Sequence, residues 1–468
     1  MKIGFVSLLT MVITGVGIGL AIAGLPAAFI IGGLAAICVV LITVYYPVIT
    51  IGVLLAVVPL NVLWTGAEGI SPLEVGYGLT YIFLLLCWIL KKIRAVIFGT
   101  RTHSISSPVT VPMVVFLGWA VMACAVGIAH GHPFRHWGSD LNALMFYALC
   151  FVVLDTIKGK RTLAVLFGIM SLSLAVGIFD SFSSLRMVNT SPGVAIAAPA
   201  LPKVRNVSLM SLSMLMVALA CVTHCTGWHR KIFYGALTFL FAAMLAISFA
   251  RSIWIAAVFG AAFLFFASLA YQKRSFLKMV MAAVIISALY VAVAFSVPSN
   301  TPLFKTALAI EKRYESIFTA WGETPIVTRG AEFRVAMRKA LQYPVIGNGL
   351  GTPITYFRYD KWYGVQMWDT SRYIHNAYLY FFLNMGLVGL CAFLWLGLSL
   401  VWYGMRIYSS VHDEVSKALA LGITAAFAAS MAASLAGPLF SSPFLTMWFG
   451  FFTGTLIYID TSRPPASR

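Results

Sequence analysis

Long apolar runs alternate with short polar segments along most of the chain. A run of about 17–25 apolar residues is long enough for a helix to cross the ~30 Å hydrocarbon core of a bilayer. Fourteen runs approach this length, and because several are short, the pattern predicts twelve to fourteen membrane-spanning helices. The runs lie at residues 3–23, 27–45, 47–64, 73–90, 110–130, 140–157, 161–178, 205–226, 231–247, 251–270, 275–296, 379–403, 416–436 and 440–460.

One segment, residues 297–374, interrupts this pattern because it contains no apolar run of spanning length. We therefore predict an all-α, polytopic membrane protein with one large loop that contains helices. The predicted domains are N-terminal transmembrane helices (1–204), further transmembrane helices (205–296), the large loop (297–374) and C-terminal transmembrane helices (375–468).

Composition supports the membrane class. The 468 residues are 61% hydrophobic and only 10% charged, with a mean hydropathy of +0.93, and a soluble domain with these values would expose large apolar patches. Lys and Arg cluster in the loops near residues 91–101, 158–161, 230–231 and 273–278. By the positive-inside rule these loops are cytoplasmic, which places both termini inside and the large loop outside.

The formal net charge is +18, which could suggest nucleic acid, but basic cytoplasmic loops are the first explanation in a membrane protein, and we expect no nucleic-acid partner. The large loop also contains ten Lys and Arg against six acids. Long loops cross the membrane regardless of charge, so this excess is either a solvated face or the site of an anionic ligand.

Metal and nucleotide chemistry have little support in the sequence. Cys221, His224 and Cys225 lack a second pair of ligands, and His130, His132 and His136 favour an interfacial role over a metal site. No phosphate-binding glycine motif occurs in a cytoplasmic loop. We therefore expect no metal and no cofactor, and any chemistry to take place at the outer face on substrates that arrive already activated.

The large loop contains two local patterns. The stretch TRGAEFRVAMRKAL (328–341) predicts a helix with Phe333 and Ala336 on one side, and Pro344 ends it. The glycines of PVIGNGLG permit either an ordinary loop or a close approach of backbone to a ligand. Seven aromatic residues then lie within 356–373, where they form either an interfacial aromatic belt or a platform for sugar rings.

Several of these features together resemble the C-terminal signature of the O-antigen ligase/Wzy polymerase superfamily. They are Arg329 and Phe333 in TRGAEF, Pro344 with Gly347, Gly349 and Gly351, His375 in HNAYL, and NMGLVGL running into a span. The hairpin LAISFARSIWIAAVFG, with Arg251 at its outer turn, resembles the family's Ser-Arg step between two short helices. Ala250 and Asn384 differ from the Ser and Glu found in many members.

The resemblance implies a GT-C-like glycosyltransferase in the bacterial inner (cytoplasmic) membrane, with its active site on the periplasmic side. The donor would be a glycan on undecaprenyl diphosphate, and the acceptor a lipid A-core sugar or another lipid-linked glycan. Arg205, Arg251 and Arg329 would bind the diphosphate without a metal, because guanidinium groups fork onto phosphate oxygens. His375 would be the general base of an inverting reaction, with Asn376, Arg372 and Arg334 as supporting residues.

Two rival functions stay open at this point. A polymerase would use the same kind of donor, so the site residues do not separate it from a ligase. A polytopic transporter or flippase would also have many spans, but it should show two similar halves and ionisable residues at mid-membrane, and neither is visible in the sequence.

Overall fold

The computed structural model describes residues 38–61, 72–99, 107–188, 201–248, 250–269, 296, 324–360 and 365–463. The predicted span 3–23, the first part of 27–45 and nearly all of 275–296 lie outside these residues. The architecture below therefore concerns the described parts of the chain.

Helices form almost all of the described structure, which confirms the prediction of an all-α polytopic membrane protein. Eight of the described helices are long and apolar enough to cross a membrane, or nine if one bent pair counts as a span. That pair, Cys38–Tyr45 and Pro47–Pro59, is bent by 119°. The helices are Cys38–Tyr45, Pro47–Asn61, Pro72–Ile97, Thr110–Ala129, Phe134–Met145, Leu149–Thr156, Lys160–Val188, Leu201–His224, Trp228–Ile247, Arg251–Leu269, Thr324–Ala340, Ala377–Ser410, Glu414–Ala433 and Pro443–Thr461.

The helix Leu201–His224 packs closely against Glu414–Ala433, and small residues make this contact possible. A Cβ atom on Gly422 would lie 2.6 Å from the Cα atom of Val217, so the two backbones approach each other where glycine leaves room. Between apolar helices in lipid, such close van der Waals packing provides much of the association energy.

The predicted Ser-Arg step is a tight turn between Trp228–Ile247 and Arg251–Leu269. The Ser248 hydroxyl donates to the Leu245 carbonyl at 2.7 Å and accepts from the Ala250 N–H at 3.3 Å. Ser248 is buried, and its hydroxyl therefore links the end of one helix to the residue before Arg251.

The predicted large loop contains the helix Thr324–Ala340, which we call the loop helix, and a two-stranded antiparallel hairpin. The strands are β1, Ile354–Asp360, and β2, Val365–Ser371. The predicted helix 328–341 is confirmed, whereas the hydropathy pattern predicted no strand here.

The stretch 347–351, the glycine loop, packs against the kink of the helix Ala377–Ser410, which we call the kinked helix. Gly347, Gly349 and Gly351 all have positive φ, as does Gly386 at the kink. A Cβ atom on Gly349 would lie 2.2 Å from the backbone nitrogen of Gly127. The glycines are therefore needed because backbone meets backbone, and the close approach is to the protein itself.

Hydrogen bonds hold the glycine loop in this gap. The N–H groups of Asn348 and Gly349 donate to the carbonyls of Leu383 and Asn384 at 2.9 and 3.0 Å. The Leu350 N–H donates to the Ala123 carbonyl at 2.9 Å. These three N–H groups all donate to carbonyl groups of neighbouring helices. The glycine loop therefore attaches the large loop 297–374 to the transmembrane helices.

Candidate functional site

The loop helix contributes one wall of the site. Arg329, Glu332 and Phe333 are spaced at i, i+3 and i+4, and therefore project from one side of the helix. Glu332 is only 2% exposed, and Ala336 and Ala340 below it are fully buried. Phe333 remains 44% exposed, so the buried stripe of this helix begins with Glu332 and not, as the periodicity suggested, with Phe333.

The second wall begins at His375, two residues before the kinked helix. Asn376 is the N-cap of that helix, because its Oδ1 accepts from the Leu379 N–H at 2.9 Å. Its Nδ2 donates to the Leu435 carbonyl at 3.2 Å, beyond the end of the helix Glu414–Ala433. Asn376 thus anchors the chain on both sides and holds His375 in one position.

His375 and Glu332 form a doubly hydrogen-bonded pair. The His375 backbone N–H donates to Glu332 Oε1 at 2.5 Å, and the Nδ1 atom of the imidazole lies 2.7 Å from Oε2. When Glu332 is ionised and the ring is neutral, the carboxylate can only accept, so in that state Nδ1 carries the hydrogen and the lone pair is on Nε2. The side chain of His375 is 32% exposed and that of Glu332 is 3% exposed, so the pair has one buried end and one accessible end.

A pocket of about 130 Å³ lies at this junction. It is lined by Arg329, Glu332, Phe333, Ile374, His375, Asn376, Leu379, Leu435 and Ala436. An arginine, a histidine and the carboxylate partner of that histidine therefore share one small cavity whose remaining walls are mostly apolar. Such a concave site with a few convergent polar groups is the usual form of a binding or active site.

Three of the predicted site residues meet in this pocket: His375, Arg329 and Asn376. Arg251 is half-buried at the start of the helix Arg251–Leu269 and is not part of the described lining. Arg205 lies in the helix Leu201–His224. The proposed diphosphate-binding roles of Arg205 and Arg251 therefore stay predictions.

The two other supporting arginines have structural contacts. Arg372 donates through Nη1 to the His136 carbonyl at 2.8 Å and to Asp140 Oδ1 at 3.2 Å, which ties the end of β2 to the helix Phe134–Met145. Arg334 is exposed, and its Nε donates to the Gly330 carbonyl at 3.3 Å. Neither residue lines the pocket in the described part of the chain.

The residue that sequence reasoning missed is Glu332. It stands inside TRGAEF, three residues after Arg329 and four before Ala336. A carboxylate on the apolar stripe of a helix is costly to bury unless it is paired, and that was the available signal. The partner, 43 residues further along the chain, is visible only in the folded structure.

Three histidines of the two clusters make hydrogen-bond contacts within the protein. His130 and His132 place their Nδ1 atoms 2.9 Å from the carbonyls of Asn348 and Leu350, which supports a role in fixing the glycine loop. His224 places Nε2 3.1 Å from the Tyr408 hydroxyl and Nδ1 3.1 Å from the Ala220 carbonyl. Within the described residues, no group of three or more His, Cys, Asp or Glu side chains is arranged to hold a metal ion.

Part of the chain is similar to a known protein family. A family model described as O-antigen ligase matches residues 236–394, which include Arg251, the loop helix, the glycine loop and His375. Over this region the chain is similar to the O-antigen ligase family, which confirms the predicted resemblance. A comparison with curated proteins finds no match.

The family and the fold together define the class of protein. The described helices are those of a multi-pass membrane protein, and the matched region is similar to a family of ligase- and polymerase-type enzymes that act on lipid-linked glycans. Arg205 lies outside the matched residues.

Proposed function

We propose that the protein is an inverting, metal-independent glycosyltransferase of the bacterial inner membrane. It would move a glycan from undecaprenyl diphosphate to an acceptor hydroxyl at the periplasmic face, most simply as an O-antigen ligase that attaches polysaccharide to lipid A-core. The observation that carries the proposal is the His375–Glu332 pair, which faces the same pocket as Arg329.

His375 acts as the general base. Nε2 accepts the proton of the acceptor hydroxyl while that oxygen attacks the anomeric carbon of the donor. The new glycosidic bond forms as the carbon–oxygen bond to the diphosphate breaks, and the diphosphate leaves with the bonding electrons. A single displacement of this kind inverts the anomeric centre.

Glu332 supports the base in two ways. It keeps the hydrogen of the neutral imidazole on Nδ1, so that Nε2 can accept a proton, and it stabilises the imidazolium ion that results. Because its backbone contact also holds the main chain of His375, the imidazole has little freedom to turn away from the pocket.

Arg329 is the residue of the pocket that can neutralise the leaving diphosphate. A guanidinium group donates two parallel hydrogen bonds to phosphate oxygens, and in a pocket with mostly apolar walls this stabilises charge more strongly than in water. Arg251 and Arg205 are proposed as further phosphate ligands. A diphosphate needs no proton to leave, so arginines can take the place that a divalent metal has in many glycosyltransferases.

The main alternative is a polymerase that transfers the same donor to another lipid-linked glycan. The pocket does not separate the two, because they differ in the acceptor and not in the donor. A transporter or flippase is less well supported, since a paired histidine and carboxylate beside an arginine is an arrangement for proton transfer next to an anion.

The proposal is tested with the purified protein in lipid, supplied with a lipid-linked glycan and with rough lipid A-core. His375→Ala and His375→Gln should each lower transfer by about two or more orders of magnitude, as expected when a general base is lost. His412→Ala is the matched control, because His412 is exposed just beyond the other end of the kinked helix. A Gln variant with near-normal turnover would show that His375 only positions the substrate.

The acceptor is identified in a deletion strain. Loss of all long chains on the lipid A-core would indicate a ligase, whereas cores capped with single repeats would indicate a polymerase. An unchanged glycolipid profile, together with no transfer by the purified protein, would contradict both functions.

A further inference from the structure

The outward face of the hairpin presents two aromatic rings side by side. Phe357 and Trp368 are direct partners across the two strands, with ring centroids 5.2 Å apart. Ile354 and Tyr356 on the opposite face of β1 are buried, whereas Phe357 is 43% and Trp368 69% exposed. The hairpin therefore packs against the rest of the protein through the face with Ile354 and Tyr356, and the Phe357–Trp368 pair is exposed on the other face.

The same exposed face carries two hydroxyl groups. Thr355 and Thr370 are the partner pair two residues along from Phe357 and Trp368, and their Oγ1 atoms lie 2.9 Å apart. In such a pair one hydroxyl donates to the other, so one donor and several acceptor positions remain for a ligand. In hydrocarbon these groups would be left unsatisfied, which argues against a lipid-buried face.

An aromatic residue between the hairpin and the kinked helix contacts the candidate site. Tyr373 follows the end of β2, is 54% exposed, and places its ring edge to face with the His375 imidazole at a centroid distance of 4.8 Å. Trp368 is five residues before Tyr373, so the separation along an extended chain is at most about 17 Å. The exposed aromatic pair of the hairpin is therefore at most about 17 Å along the chain from a ring that contacts the proposed base.

We propose that this face, defined by Thr355, Phe357, Trp368, Thr370 and Tyr373, binds the sugar rings of the acceptor glycan. One face of a pyranose ring presents C–H bonds that stack on aromatic rings, while its hydroxyls project sideways to partners such as threonine. The binding is assigned to the acceptor because the base must contact the acceptor hydroxyl, and Tyr373 touches the base. This inference rests on the proposed function.

The test uses a soluble probe that has no lipid, a delipidated core oligosaccharide, added to the protein in lipid nanodiscs. Trp368→Ala should weaken binding of this probe by about tenfold, as for removal of a central aromatic contact. Trp368→Phe should retain most of the binding, and Phe357→Ala should repeat the loss. Trp402→Ala is the matched control, because Trp402 is similarly exposed but lies in the membrane-spanning part of the kinked helix.

Transfer kinetics give the second readout. Trp368→Ala should raise the KM for the acceptor by a similar factor and leave the KM for the lipid-linked donor unchanged. A rise confined to the donor KM would overturn the assignment to the acceptor. If both alanine variants bind the probe as the wild type does, the hairpin face does not bind glycans and the proposal is wrong. Weaker contact of the hairpin with lipid vesicles in these variants would then indicate that the face binds lipid.

Failure of this inference is distinguishable from failure of the proposed function. If only the inference fails, His375→Ala abolishes transfer and the hairpin variants behave as wild type. If the proposed function fails, the wild-type protein shows no transfer whatever the hairpin variants do to probe binding.

Discussion

Replacement of Glu332 by Gln removes the charge from the buried partner of His375 and changes its volume very little. The amide oxygen of Gln can accept from only one of the two donors that now meet the carboxylate, the His375 backbone N–H and the imidazole. If the amide nitrogen turns toward the ring, Nδ1 must accept, and the ring hydrogen moves to Nε2. The base would then hold its hydrogen at the atom that should receive the acceptor proton.

The size of the effect follows from the 2.7 Å separation of Nδ1 and Oε2. Coulomb's law for an imidazolium and a carboxylate at this distance gives about 1.5 kcal/mol at the permittivity of water and about 6 kcal/mol at an effective permittivity of 20. With Glu332 buried and His375 about one-third exposed, we expect about 3–5 kcal/mol. At 1.36 kcal/mol per decade, kcat should fall by about two to four orders of magnitude.

The assay is transfer of a lipid-linked glycan by protein reconstituted in lipid, with both substrates saturating. Glu414→Gln is the matched control, since Glu414 also accepts a backbone N–H and a side-chain hydrogen, those of Thr226, at a distant loop. The control should keep normal turnover, and both variants should fold. A Glu332→Gln enzyme that retains wild-type kcat would refute the assignment of Glu332 as the residue that orients the His375 imidazole and stabilises its protonated form.

Three further outcomes are expected. Arg329→Ala should weaken donor binding by about 10- to 100-fold, the equivalent of one or two charged hydrogen bonds, while Arg334→Ala, which lies outside the described pocket lining, should not; full activity of Arg329→Lys would show that bulk charge suffices. Transfer should persist in EDTA, and activity that is lost with chelator and restored by Mg²⁺ or Mn²⁺ would refute neutralisation by arginine. Gly349→Ala should destabilise the protein by about 3 kcal/mol or more, because its φ is +88° and its Cβ would meet a backbone nitrogen at 2.2 Å. Gly330→Ala, where the new methyl group meets nothing within 4 Å, should leave the melting temperature equal or higher, and equal melting of the two variants would contradict the packing argument.

Much of the candidate site could be predicted from local sequence. The loop helix follows from its amphipathic pattern, and Arg329 and His375 follow from the order of motifs around it. Asn376 is next to His375 in the sequence, but only the structure shows that it is the N-cap of the kinked helix and donates to the Leu435 carbonyl. The strands were missed because the aromatic residues of 356–373 also fit an interfacial belt, although short runs rich in aromatic and β-branched residues are typical of strands.

The sequence by itself determined the membrane class and the presence of a large polar loop. Whether a stretch is apolar over the length of a membrane span is a local property that the sequence shows directly. It also marked the glycines, whose backbone freedom is an attribute of the residue. Only the tertiary structure decided what those glycines approach and which carboxylate faces His375. Contacts between Glu332 and His375, or between Gly349 and Gly127, join positions far apart in the chain, and no local pattern records such a pairing. The structure also separated arginines that look alike in sequence, since Arg329 faces the pocket while Arg372 is paired with Asp140.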